Sequence, residues 1–157
     1  MARYLARTQQ KYTQRGGVRP FGIATLLAGF SDPVHDGESS ATEDGDDGSR
    51  PVLYQTDPAG THSSWKAQVI GGRNSKSLRE FLEKNYESTM DESACVKLGV
   101  RCLLEVVDSG AKNMEICVVR KGGKRETMAE KDVDEIVKEI TEEAEEGKRG
   151  SSSGGDE

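Results

Sequence analysis

Three cysteines, two histidines, a glycine-rich turn and an acidic run are the parts of this 157-residue chain whose residue types could support chemistry. Cys95 and Cys102 stand seven apart on one helical face and could hold a soft metal with two further ligands. Nothing in the sequence supplies those ligands at zinc-site spacing, so both are expected to be buried structural thiols. Cys117, between Ile116 and Val118, is likewise expected to be a packing residue. His62 beside Ser63 and Ser64 offers the residue types of a hydrolase pair. Neighbours on a strand point to opposite faces, which counts against a nucleophile meeting its base there. His35 falls in an acidic loop. In "GGVRPFG" the glycines follow a helix, whereas a phosphate cradle runs strand, glycines, helix. Asp44, Asp46 and Asp47 lack the spaced ligands and terminal Glu of a calcium loop. No catalytic residue, cofactor or metal is expected.

Composition narrows the partners. Net charge is -6, with 33% hydrophobic and 5% aromatic residues. No contiguous Lys/Arg block forms a phosphate-tracking footprint, so nucleic acid is not expected as a partner. No run reaches the roughly 18 apolar residues that span a bilayer, so no membrane association is expected. The start, "MARYLARTQQ", has no apolar signal core. An odd cysteine count without an export signal points to reduced thiols inside the cell.

The elements that would position these residues follow from periodicity. Arg3 to Gln14 predicts a helix with Leu5, Thr8 and Tyr12 on one side, stopped by Gly16-Gly17 and lacking an N-cap. Phe21 to Phe30 is apolar at both odd and even positions, which predicts a strand buried on both faces. Residues 31–50 are acidic and of low complexity, a solvated loop. Pro51 to Gln55 and Ser64 to Ile70 predict strands on either side of a "TDPAGT" turn, completing an antiparallel meander. Trp65, Ala67 and Val69 share one face of the last strand.

Helices are expected at about 75–86, capped by Asn74 or Ser77, and at about 92–108, capped by Asp91. Met114 to Arg120 and Arg125 to Met128 predict a hairpin around "KGGK". A helix from about 129 to 146 carries Val133, Ile136, Val137 and Ile140 on one side, and residues 147–157 read as a disordered tail. Runs of strands alternating with runs of helices make the fold class α+β with antiparallel sheets.

Taken together, "RYLARTQQKYTQRGGVRPFGIATLLAGF" and "YQTDPAGTHSSWKAQVIGGRNSKSLREFLEKNY" resemble the α subunits of the proteasome core particle. The paired Y-T-Q…G-V-R-P-F-G and D-P-A-G…K-A…I-G elements carry the likeness. "LLEVVDSGAKNMEICVVRKGGK" is similar to the α type 7, α4-position form. The resemblance covers residue 3 to about 146 outside the acidic loop. It implies the four-layer α-β-β-α sandwich of the N-terminal-nucleophile hydrolase class. It also implies a non-catalytic role in the α ring, partnering other α subunits, the β ring and regulatory particles, in cytoplasm and nucleus. Gated substrate entry in ubiquitin-dependent degradation would be the process served. Interface residues carried over by the motif are Tyr12, Gln14, Arg19, Pro20, Phe21 and Gly22. The start Met-Ala-Arg offers no N-terminal threonine nucleophile.

The family pattern also implies a long upstream part with a gating Tyr-Asp-Arg element. The chain is therefore expected to be an N-terminally truncated form: a clipped gene model, a short isoform or a fragment, with its domain at 1–146 and an insert at 31–50. Unpaired strand edges would then leave the chain, expressed alone, aggregation-prone or only partly folded and not competent to enter a ring. Two alternatives stay open: an active β-type threonine protease subunit, and a truncated isoform that does not assemble.

Overall fold

The computed structural model describes residues 1–31, 49–72, 74–107 and 110–151, with side chains through 145. These fall into two compact units, Met1–Arg73 with Val119–Arg125, and Asn74–Val118 with Glu126–Glu157.

In the first unit, helix α1 (Ala2–Gln14) precedes three antiparallel strands, β1 (Thr25–Phe30), β2 (Pro51–Thr56) and β3 (His62–Trp65), in the order β1-β2-β3. The expected meander is present, with Leu27 opposite Tyr54 and Tyr54 opposite Ser64. Helix α1 lies against β2 and β3. The face it buries is Ala2, Ala6 and Gln9, while Leu5, Thr8 and Tyr12 are only half-buried on its flank. Two alanines present little bulk and let the helix backbone approach the sheet closely. As expected, no side chain caps the helix start.

Two strands are shorter than their apolar runs. β1 begins at Thr25, and residues 18–24 run without regular structure. Its residues are half-buried rather than buried on both faces, and Ile23 is 61% exposed. Among the described residues of this unit, helix α1 is the one α-helix, and it lies against β2 and β3 rather than β1. β3 starts two residues early and stops at Trp65. The turn sets its register. Asp57 Oδ1 accepts from the Thr61 N–H at 2.9 Å, and the Gly60 N–H donates to Asp57 O at 3.0 Å. That closure brings His62 opposite Thr56. Past Trp65, the Gln68 side chain bonds both Gln55 Oε1 and the Val69 N–H at 2.9 Å, so Ala67 and Val69 turn off the ladder.

The ends of the acidic loop are pinned. The Ser31 N–H donates to Arg50 O at 2.8 Å, and the Arg50 N–H donates to Ser31 Oγ at 3.2 Å. The loop itself, residues 32–48, lies outside the described residues.

The second unit contains α2 (Ser75–Asn85), α3 (Glu92–Leu104), a short 3-10 turn at Gly110–Asn113 and α4 (Glu130–Ser151). Asn74 occupies the N-cap of α2 without a side-chain bond, and Ser77 lies inside the helix, so the alternative capping box does not form. Asp91 caps α3 as expected, accepting from the Ala94 N–H at 2.7 Å. α3 ends at Leu104 rather than near 108. The Val106 and Val107 N–H groups both donate to Leu103 O, a tightening that halts the helix. Its core joins Val100, Ala111, Met114, Val133 and Ile140, with Ile136 and Val137 packed alongside. This is the α4 stripe that the sequence periodicity indicates.

Lys97 reaches Glu139 at 2.7 Å and Glu143 at 3.7 Å, and Arg101 pairs with Glu143, tying α3 to α4. α4 continues helically to Ser151 instead of giving way to a tail at 147, since extending a nucleated helix costs little. Residues 152–157 lie outside the described residues. Strands β4 (Cys117–Arg120) and β5 (Lys124–Thr127) form the expected hairpin around Gly122 and Gly123.

Candidate functional site

The motif "YTQRGGVRPFG" folds as a helix end, a turn and an irregular return towards β1. α1 stops at Gln14. Arg15 is already extended, with its N–H still donating to Lys11 O at 3.1 Å. Gly17 then takes φ +77, a left-handed conformation that glycine adopts at little cost and that reverses the chain.

Two contacts fold the return segment back onto the helix. The Tyr12 and Phe21 rings meet at 4.8 Å between centroids and 57° between planes, within the range of a tilted aromatic pair. About one turn earlier, Gln9 Nε2 donates to Ile23 O at 3.3 Å. Gln9 is buried, and its Oε1 has no partner among the described residues. Thr56 Oγ1 is buried in the same condition. These two contacts fix the path of residues 18–24, which have no ladder bonds of their own.

Of the six residues singled out by the motif, Tyr12 and Phe21 are brought together and stabilise the turn. Gln14, Arg19, Pro20 and Gly22 are exposed, and a β-carbon at Gly22 would meet open space. Val18 and Ile23 add exposed apolar surface beside them. The result is an exposed surface with two cations, Arg15 and Arg19, and no acidic residue between residues 1 and 31. It combines hydrogen-bond donors with apolar area.

The sulfur and imidazole candidates are placed apart from it. His62 and Ser63 are paired opposite Thr56 and Gln55 on β3. Only Cys102 is buried; Cys95 and Cys117 are exposed. The packing expectation therefore fails for both. Cys95 sits in the first turn of α3, away from the core cluster, and β4 is only part-covered on one side. The Cys102 thiol lies 3.9 Å from Leu78 O, and burial, followed by the charge of Glu105, pushes its pKa up. Among the described residues no three His, Cys, Asp or Glu are grouped to hold a metal ion. No described helix is long and apolar enough to cross a membrane.

Sequence reasoning missed Gln9; Gly60 reads from the sequence as the close of the "TDPAGT" turn, but its seat against α1 does not. Gln9 reads as one of two interchangeable polar residues in "TQQK". Its signal is positional: it falls at i+7 from Ala2 and i+3 from Ala6, on the buried face.

A family model described as "Proteasome subunit" matches residues 42–119. Over 155 residues the chain is 51% identical to a protein of Oryza sativa subsp. indica named proteasome subunit alpha type-7-B, covering 96% of this chain and 55% of that protein. It is 49% identical over 148 residues to proteasome subunit alpha type-4 of Saccharomyces cerevisiae, covering 91% and 52%. It is 46% identical over 145 residues to proteasome subunit alpha type-7 of Dictyostelium discoideum, covering 92% and 51%. The chain belongs to the proteasome subunit family. It spans about half the length of the curated relatives it matches. The family-model match starts after the protruding turn, but the likeness to the α-type relatives takes in nearly the whole proteasome-family chain, turn included.

Proposed function

We propose that the chain is a non-catalytic structural subunit of the proteasome core-particle α ring, contributing to ring assembly and to gated substrate entry in ubiquitin-dependent degradation. The observation that carries this reading is identity near 50% to proteins named as proteasome α subunits over most of the chain. On this reading its partners are other α subunits, the β ring and, through the complete ring, regulatory particles, in cytoplasm and nucleus. Its helices and antiparallel sheets would form part of a four-layer α-β-β-α sandwich.

The protruding turn is the proposed contact with a ring neighbour. Gln14, Arg19, Pro20 and Gly22 would provide the surface, and the Tyr12–Phe21 pair would hold its shape. Arg19 suits this role because its planar guanidinium can donate up to five hydrogen bonds to a neighbour's carboxylate or carbonyl groups. The test is to co-express the tagged 157-residue chain with the remaining α and β subunits and to assay fluorogenic peptides on both the isolated chain and the recovered particle. The expected result is co-assembly, with peptidase activity in the particle and none in the chain alone. Turnover by the isolated chain that a threonine-directed inhibitor abolishes would overturn it.

A further inference from the structure

We propose that the exposed face of α1 is a docking site for an acidic peptide segment of a partner protein, held by Arg3, Arg7, Lys11 and Arg15. The site meets the turn at Arg15, the residue that follows α1, and does not depend on the ring assignment.

The four cations recur at every fourth position, and all four are exposed. On α1 that spacing stacks Arg3, Arg7 and Lys11 along one face, each about 6 Å from the next along the axis, and Arg15 follows at the helix end. They lie away from Ala2, Ala6 and Gln9, the residues that α1 turns to the sheet. Helix faces of this kind are ordinarily neutralised by carboxylates three or four positions away. Here there are none: residues 1–31 contain no Asp or Glu, and none of the four cations forms an ion pair among the described residues. By contrast, the exposed Lys97 and Arg101 of α3 are both paired to glutamates of α4. A row of cations with no carboxylate partner among the described residues, on a chain of net charge -6, is a localised field, and such fields select partners by charge.

The spacing suits an acidic peptide. Carboxylates at every fourth residue of a helix repeat at about 6 Å, and those at alternate residues of an extended chain at about 6.6 Å. Either matches the row one to one. A nucleic acid would set its phosphates against a protein of net charge -6 that has no contiguous Lys/Arg footprint. Tyr4, 70% exposed between Arg3 and Arg7, adds an aromatic surface with a hydroxyl that an acidic peptide can cover.

The experiment measures anisotropy of a labelled helical peptide carrying Glu at four successive fourth positions with Ala elsewhere, titrated with the full 157-residue chain. A scrambled peptide with adjacent glutamates and a single-stranded oligonucleotide of equal length are the comparisons. The spaced peptide should bind most tightly, weaken with added salt, and lose about tenfold in affinity in Arg7→Glu/Lys11→Glu. Circular dichroism should match the parent, and Arg7→Gln/Lys11→Gln should give an intermediate loss. Equal binding by parent and variants, no preference for the spaced over the scrambled peptide, or tighter binding of the oligonucleotide would each overturn the proposal.

Discussion

Gly60 lies directly against Ala6: a β-carbon at Gly60 would sit 2.8 Å from the Ala6 carbonyl oxygen and 2.6 Å from Gln10 Cβ. The β2–β3 turn is thus seated on the backbone of α1, and φ +89 at Gly60 is what turns the chain at that point. Sheet and helix in the first unit are locked by a residue without a side chain.

Replacing Gly60 with Ala should therefore incur two costs, a left-handed backbone of about 1–2 kcal/mol and an overpacked contact of about 1–3 kcal/mol. Gly72→Ala provides the comparison, because Gly72 has φ +85 but nothing within 4 Å of its β-carbon. Urea unfolding should show the larger loss for Gly60→Ala. Equal losses at the two sites would mean that the contact with Ala6 contributes nothing.

Capping separates the N-termini of α2 and α3. Asp91→Ala removes the bond to the Ala94 N–H and should cost about 1 kcal/mol. Asn74→Ala removes no side-chain cap bond and should change stability by less than about 0.5 kcal/mol. Equilibrium unfolding of both variants checks the difference in one experiment.

Alkaline pH should weaken the second unit. The Cys102 thiol has its pKa raised in the folded chain, so the unfolded chain ionises first as pH climbs. The contribution is full below the ordinary thiol range and is lost as pH rises through the folded value. Lys97 shifts the same way: its hydrogen bond and charge interaction with Glu139 raise its pKa, and that support fades above the ordinary lysine range. Unfolding midpoints should hold steady near neutral pH and fall above about pH 8.5, and Cys102→Ala should flatten the first part of that decline. Iodoacetamide at neutral pH should label Cys95 and Cys117 before Cys102.

The protruding turn offers a separation of stability from assembly. Phe21→Ala removes the ring contact with Tyr12 and should cost at least about 0.5–1.5 kcal/mol. Arg19 is exposed and has no ion pair among the described residues, so Arg19→Ala should leave unfolding unchanged. Recovery of the chain in assembled particles should nevertheless fall for Arg19→Ala. Unchanged recovery would remove Arg19 from the interface.

Much of the fold was legible where one residue type carries one physical signal. Asp91 reads as a cap because its carboxylate sits before an apolar run, and it does cap. Val133, Ile136, Val137 and Ile140 repeat at helical spacing and do line the core. Strand ends were less legible, because apolar composition alone does not decide where ladder bonds stop. Phe21 and Ile23 look like strand residues, yet their backbone follows the Tyr12 ring and the Gln9 amide. The spread of Arg3, Arg7, Lys11 and Arg15 hid a basic row from a search for contiguous charge; the helix assembles it. Gln9, and the seat of the turn glycine Gly60 on α1, were invisible for a related reason: each matters through a residue that another element brings to it.

Affinity capture of the tagged chain from cells, followed by native separation and subunit mass spectrometry, tests the α-ring assignment most directly. The account predicts that the chain migrates with the core particle, in fixed proportion to the other α subunits and the β subunits. A chain that unfolds cooperatively when purified, yet is recovered without any α or β subunit, would contradict it.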